Sequence, residues 1–130
     1  MDSAAATELT FVTTIPHIEL LYSADCPSHD AALQQLRRIT AEEGLDPATI
    51  DLRLLLTATE ANAENFPGSP TIRINGIDII DPAGAPPSLS CRVYRHSNGR
   101  FSPLPEDDSL RQALRRAKTK PDNATRQRRP

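Results

Sequence analysis

The side chains in this 130-residue chain best suited to covalent chemistry are its two cysteines, Cys26 and Cys91, and His29, three residues after the first. A thiolate is a nucleophile and a soft-metal ligand, and a cysteine ionises more readily where backbone N–H groups and the positive end of a helix dipole face it. Cys26 stands in Tyr22-Ser-Ala-Asp-Cys-Pro-Ser-His29, at the point where an apolar strand pattern gives way to an amphipathic helix pattern. Asp25 and Asp30 oppose its ionisation by like charge. His29 lies at i+3, a spacing that lets the two side chains meet in a first helical turn. It can pair with a thiolate as an imidazolium or act as a general base. Because a histidine stands where a Cys-x-x-Cys pair has its second cysteine, dithiol exchange within one turn is excluded. Monothiol chemistry remains: mixed-disulfide formation, sulfenic acid formation, or attack on an electrophile. Cys26-x-x-His29 with Cys91-x4-His96 also has spacings compatible with zinc or a softer metal. The Asn98-Gly99 turn places His96 away from such a site, so no metal ligand is assigned.

The elements that must position these residues are readable from periodicity. His17–Tyr22 is a strand with Ile18 and Leu20 on one face. Pro27 suits the first position of the helix that follows, where its missing N–H costs nothing. That helix runs to about Glu43 with Ala32, Leu33, Leu36 and Ile39 on one face, and Gly44 suits its exit. Ile50–Leu56 alternates Ile50, Leu52, Leu54 and Leu56 against Asp51 and Arg53, predicting a strand buried on at least one face. Strand, helix and strand within about 40 residues predict a right-handed crossover and a parallel pair. Thr57-Ala-Thr-Glu60 reads as a capping box for a short helix over Glu60–Asn65. Asn75-Gly76 between Pro70–Ile74 and Ile77–Ile80 predicts an antiparallel hairpin. The proline-rich loop Asp81–Ser90 leads into Cys91-Arg-Val-Tyr-Arg95, and Asn98-Gly99 marks another turn. A last helix over about Glu106–Lys118 stacks Leu110, Ala113, Leu114 and Ala117, acidic at its start and basic at its end as the dipole favours.

Composition bounds the rest. The length fits one domain over 15–118, preceded by a flexible segment 1–14 in which Leu9–Thr13 can form a short edge strand. Residues 119–130 read as a basic disordered tail. From Lys118 onward, five basic residues face Asp122, a surplus of +4, so the remainder carries −6 of the overall −2. That tail is a solvated end or an arm touching nucleic acid or an acidic partner. Three Phe, two Tyr and no Trp argue against stacking on bases, and so against nucleic acid as partner. No apolar run approaches a membrane span, and no basic stretch precedes an apolar one as in a secretion signal. The expected location is the cytoplasm, with reduced thiols. Two cysteines do not make a disulfide scaffold for a chain of this size, and the Asn123-Ala-Thr125 sequon is inert without secretion. No phosphate-binding glycine loop, paired-carboxylate motif or serine triad is present, and no cofactor is called for.

The order β-α-β-α-β-β-α, with Cys26-Pro27 after the first strand and Ser69-Pro70-Thr71 opening the third, resembles the thioredoxin fold. This α/β, thioredoxin-like architecture has a mixed sheet flanked by helices. More narrowly, Leu21–His29, Gly68–Thr71, Asn75-Gly76 and Leu89–Tyr94 resemble small bacterial thioredoxin-like proteins, some labelled alkylmercury lyase-like, over roughly His17–Lys118. The resemblance implies a cis-proline at Pro70, and a Ser69 backbone able to pair with an extended, thiol-bearing ligand; a trans-proline there would simply start an edge strand. It implies Cys26 as the reactive thiol, which with His29, from its spacing, and Cys91, from the topology, makes the expected catalytic set; Pro27, Ser69, Pro70 and Thr71 are the expected substrate-binding residues. The partner would be a small thiol or a protein thiol or disulfide. In this topology the loop after Ile80 returns to the Cys26 edge of the sheet, which brings Cys91 near Cys26 despite some 65 intervening positions. A lyase for mercury–carbon bonds needs two cysteines and a carboxylate. The sequence marks no such carboxylate, so that activity is not carried over. Three readings stay open: thiol–disulfide or thiol-transfer chemistry through Cys26, a non-catalytic thioredoxin-like scaffold, and a binder of soft metals or organomercurials.

Overall fold

The centre of the protein is the strand β1 (Ile18–Ser23), whose alternate side chains meet two separate apolar layers. The structure is a computed structural model that describes residues 15–119. Around β1 it builds a mixed α/β arrangement with a four-stranded sheet. The remaining sheet strands are β2 (Asp51–Leu55), β3 (Thr71–Ile74) and β4 (Ile77–Asp78), in the order β2-β1-β3-β4. β2 runs parallel to β1, with Leu20 opposite Leu52, as the strand-helix-strand spacing requires. β3 runs antiparallel to β1, with Leu20 opposite Ile72, and β4 antiparallel to β3. A two-stranded ribbon, β5 (Tyr94–Arg95) and β6 (Phe101–Ser102), lies outside this sheet.

One face carries Ile18, Leu20, Ile72 and Ile74. Against it pack α1 (His29–Glu42), through Ala32, Leu33, Leu36 and Ile39, and α3 (Asp107–Thr119), through Leu110, Ala113 and Leu114. Both stripes follow the helical spacing. Charged pairs tie the outer sides of the two helices together: Arg38 to Asp107, Arg111 to Glu42 and Arg115 to Glu43. Lys118 also bonds the Glu43 carbonyl, so the first residue counted with the basic tail is held on the fold. The opposite face is smaller, with Leu21 and Leu55 meeting Ala61 and Phe66 beside α2 (Ala58–Glu64). The capping box is present, Thr57 Oγ1 accepting from the Glu60 N–H and the Glu60 carboxylate accepting from the Thr57 N–H.

Several expectations need correction. Pro27 is not in the first helical position. α1 begins at His29 with Ser28 as its N-cap, so Cys26-Pro27 forms a turn ahead of the helix. The alternating face Leu52, Leu54 and Leu56 is 43–60% exposed, and the buried residue of β2 is Leu55, at 5%. Among the described residues, β2 is the edge of the four-stranded sheet, with a strand on one side only. The β5–β6 ribbon, closed by the expected Asn98-Gly99 turn, adds two short strands to the expected order. The Asn75-Gly76 hairpin is as expected, with φ of +55° and +81° at the two turn residues, the left-handed pair a type I′ turn needs. The Leu9–Thr13 strand and the tail beyond 119 lie outside the described residues. Among those described, no helix is long and apolar enough to cross a membrane.

Candidate functional site

Cys26 sits in the turn that leaves β1, and its main chain rather than its thiol makes the local hydrogen bonds. Its N–H donates to Ser23 O at 3.2 Å. Its carbonyl accepts from His29 Nδ1 at 2.9 Å, which fixes the proton on that nitrogen. The His29 ring also stacks on Tyr22, centroids 4.6 Å apart and planes inclined by 15°. The expected partnership of His29 with Cys26 therefore exists, but the hydrogen bond goes to the backbone carbonyl. The ring braces the turn. Cys26 itself is 4% exposed and Cys91 is exposed, and both are free thiols.

Ser69 joins the two cysteine-bearing segments. Its hydroxyl accepts from the Ser23 N–H at the end of β1, 3.0 Å away. Its own N–H donates to Ser90 O at 2.9 Å, and its carbonyl accepts from the Arg92 N–H at 2.8 Å. These two bonds make a parallel bridge between Ser69 and Cys91. The chain after the proline loop has thus returned to the edge where β1 ends and β3 begins, as the topological argument required. The Ser69–Pro70 peptide is cis, as the resemblance implies.

The same bonds occupy polar groups of Ser69, Pro70 and Thr71, the residues expected to touch substrate. All three are buried, Ser69 and Thr71 at 0% exposure. Both backbone polar groups of Ser69 are taken by the chain's own Ser90 and Arg92, so an extended ligand cannot pair there without displacing them. The Pro70 carbonyl accepts from Tyr94 Oη at 2.5 Å. Thr71 Oγ1 donates to Gly68 O at 2.7 Å and accepts from Arg92 at 3.0 Å. Of the four residues expected to touch substrate, Pro27 alone is exposed.

A buried arginine pins this segment. Arg92 is 8% exposed, and its guanidinium donates to Asp78 at 2.8 Å and to Ile80 O at 2.8 Å while lying 4.6 Å from the Tyr94 ring centre. A buried cation with a carboxylate, a carbonyl and an aromatic face around it is fully compensated. Burial pushes the Tyr94 phenol well above its ordinary pKa and keeps it a hydrogen-bond donor. The available signal was an arginine and an aspartate set among apolar neighbours, at Arg92 and Asp78.

Cys91 faces a cleft of about 370 Å³ whose walls include Pro67, Ile80, Pro82, Val93 and Arg95, so the proline loop does form a wall. His96 is not part of this region. It bonds Leu104 O through Nε2 at 2.7 Å and lines a separate cleft with Gln35 and Pro105. The set Cys26, His29, Cys91 and His96 is therefore not gathered as a metal centre among the described residues. Compared with family models, curated proteins and solved structures, the chain matches none of them.

Proposed function

We propose that this chain is a thioredoxin-like thiol protein in which Cys26 exchanges with a small disulfide and Cys91 serves as the second thiol. The observation that carries the reading is the Ser69 junction. One buried residue binds the end of β1, three positions before Cys26, and also binds the segment that holds Cys91. The sheet order β2-β1-β3-β4, with its parallel and antiparallel pairs, supports the thioredoxin-like resemblance.

The chemistry balances without any further group. The Cys26 thiolate attacks one sulfur of a disulfide RS–SR, forming a mixed disulfide and expelling one thiolate. Cys91 then attacks the Cys26 sulfur, expels the second thiolate and leaves a Cys26–Cys91 bond, so two electrons pass from the protein to the substrate. The small exposure of Cys26 favours a low-molecular-weight disulfide over a folded protein one.

A second reading, a scaffold without turnover, is favoured by the sealing of Ser69, Pro70 and Thr71 by the chain itself. Thiol release separates the two. Treated with a small disulfide, the wild-type protein is expected to release two thiol equivalents. Cys91→Ser should release one and retain an adduct on Cys26, and Cys26→Ser should lose the two-equivalent reaction. If Cys26→Ser releases thiol as the wild type does, the redox reading fails and the scaffold reading stands.

A further inference from the structure

The structure contains a second cluster of ligating side chains, at the start of β1 and away from the cysteine turn that leaves the strand's other end. His17, Glu19 and Asp51 bring one imidazole nitrogen and two carboxylate oxygens within 4.8 Å of one another. Strand geometry explains the convergence. Residues 17 and 19 are two apart along an extended chain and share a face. Asp51 is the parallel partner of Glu19 across the β1–β2 pair. The His17 backbone is held in place because its N–H donates to Asn75 Oδ1 at 2.8 Å and its carbonyl accepts from the Asn75 N–H at 2.8 Å.

We propose that His17, Glu19 and Asp51 form a binding site for a divalent transition ion of the zinc type. His17 Nε2 and Asp51 Oδ2 are 3.4 Å apart. Ligands about 2.05 Å from a tetrahedral ion lie roughly 3.3 Å from each other, so this edge of the tetrahedron already has its length. Glu19 is 7% exposed, a buried carboxylate whose position needs compensation. Arg53 donates to one of its oxygens at 3.2 Å, which leaves the other to ligate and orients it, as outer-shell donors do for ligating carboxylates. Arg53 does not depend on Glu19 for its own charge. It makes two bonds to Glu64, at 2.6 and 3.3 Å. An imidazole with two carboxylates suits zinc, cobalt or manganese better than calcium or magnesium, which prefer oxygen alone. Three protein donors leave one tetrahedral position for water or an incoming ligand.

The test uses the full chain carrying Cys26→Ser and Cys91→Ser, so that no thiolate competes, titrated with Co²⁺ and with Zn²⁺. The expected result is one equivalent of Co²⁺ bound with a visible spectrum lacking thiolate charge transfer. Zn²⁺ should displace it and raise the melting temperature. Adding His17→Ala or Asp51→Asn, both at exposed positions, should weaken binding at least about tenfold, since even outer-shell losses cost that much. Absence of binding to the double variant, or binding unchanged by His17→Ala and by Asp51→Asn, overturns the proposal.

Discussion

Gly68→Ala tests the packing that seals the Ser69 junction. Gly68 has φ of +136°, a conformation that L side chains rarely adopt. A Cβ there would lie 3.0 Å from Arg92 Cβ, 3.1 Å from Ser90 O and 3.3 Å from Arg92 Cα. Two of these neighbours are backbone atoms of the segment bound to Ser69, so relief requires that segment to move. The backbone strain is worth about 1–3 kcal/mol. Weakening the two bonds between Ser69 and Ser90–Arg92 adds about 1 kcal/mol. A total of about 2–4 kcal/mol corresponds to a fall in Tm of roughly 10–20 °C for a domain of this size. Thermal unfolding by circular dichroism measures the loss, and amide exchange at Ser69 and Arg92 should accelerate with it. Gly84→Ala is the control: φ is +77° and no atom lies within 4 Å of the added carbon, so only the conformational cost of about 1 kcal/mol remains. If Gly68→Ala costs no more than Gly84→Ala and leaves exchange at Ser69 unchanged, the reasoning about the seal is wrong.

Other consequences follow from the same contacts. Ser69→Ala leaves the Ser23 N–H without its acceptor in a buried place, so denaturant unfolding should show a loss of about 1–3 kcal/mol, and alkylation of Cys26 should speed up. Leu55→Ala should cost about 2–5 kcal/mol and Leu54→Ala less than about 1 kcal/mol, because Leu55 is 5% exposed and Leu54 43%; equal losses would contradict the assignment of the two faces of β2. The Arg53 hydrogen bonds hold the Glu64 carboxyl below its ordinary 4.5, and the Gln35 amide and then Arg38 hold Asp107 below 3.8. Their contributions are complete above those values and vanish as pH falls through the lower folded-state pKa values. A Tm measured against pH should therefore start to fall below about pH 4.5, and more gently in Glu64→Gln.

Much of this architecture was legible because local signals agreed with one another. Asn75-Gly76 demanded two left-handed residues and received them, Thr57 and Glu60 formed their box, and the spacing of Leu36, Ile39, Leu110 and Leu114 marked the buried faces. The misreadings have a common cause in tertiary placement, which periodicity does not encode. Leu52, Leu54 and Leu56 alternate like a core strand, yet among the described residues β2 is an edge. The occupation of the Ser69 and Thr71 polar groups by the chain's own Ser90–Arg92 segment is likewise a matter of tertiary placement. Cys91 lies at the edge that strand directions imply, whereas the pairing of Arg92 with Asp78 beside it depends on tertiary placement, although each stands out among apolar neighbours. The convergence of His17, Glu19 and Asp51 likewise depends on the register between β1 and β2, which periodicity does not encode.

The pairing of Cys26 with Cys91 is tested most directly by oxidising the intact protein with a small disulfide, blocking the remaining thiols and mapping the linked peptides by mass. A single Cys26–Cys91 peptide should accumulate, and should be absent from either serine variant. An adduct confined to the exposed Cys91, with Cys26 recovered as a free thiol, would contradict it.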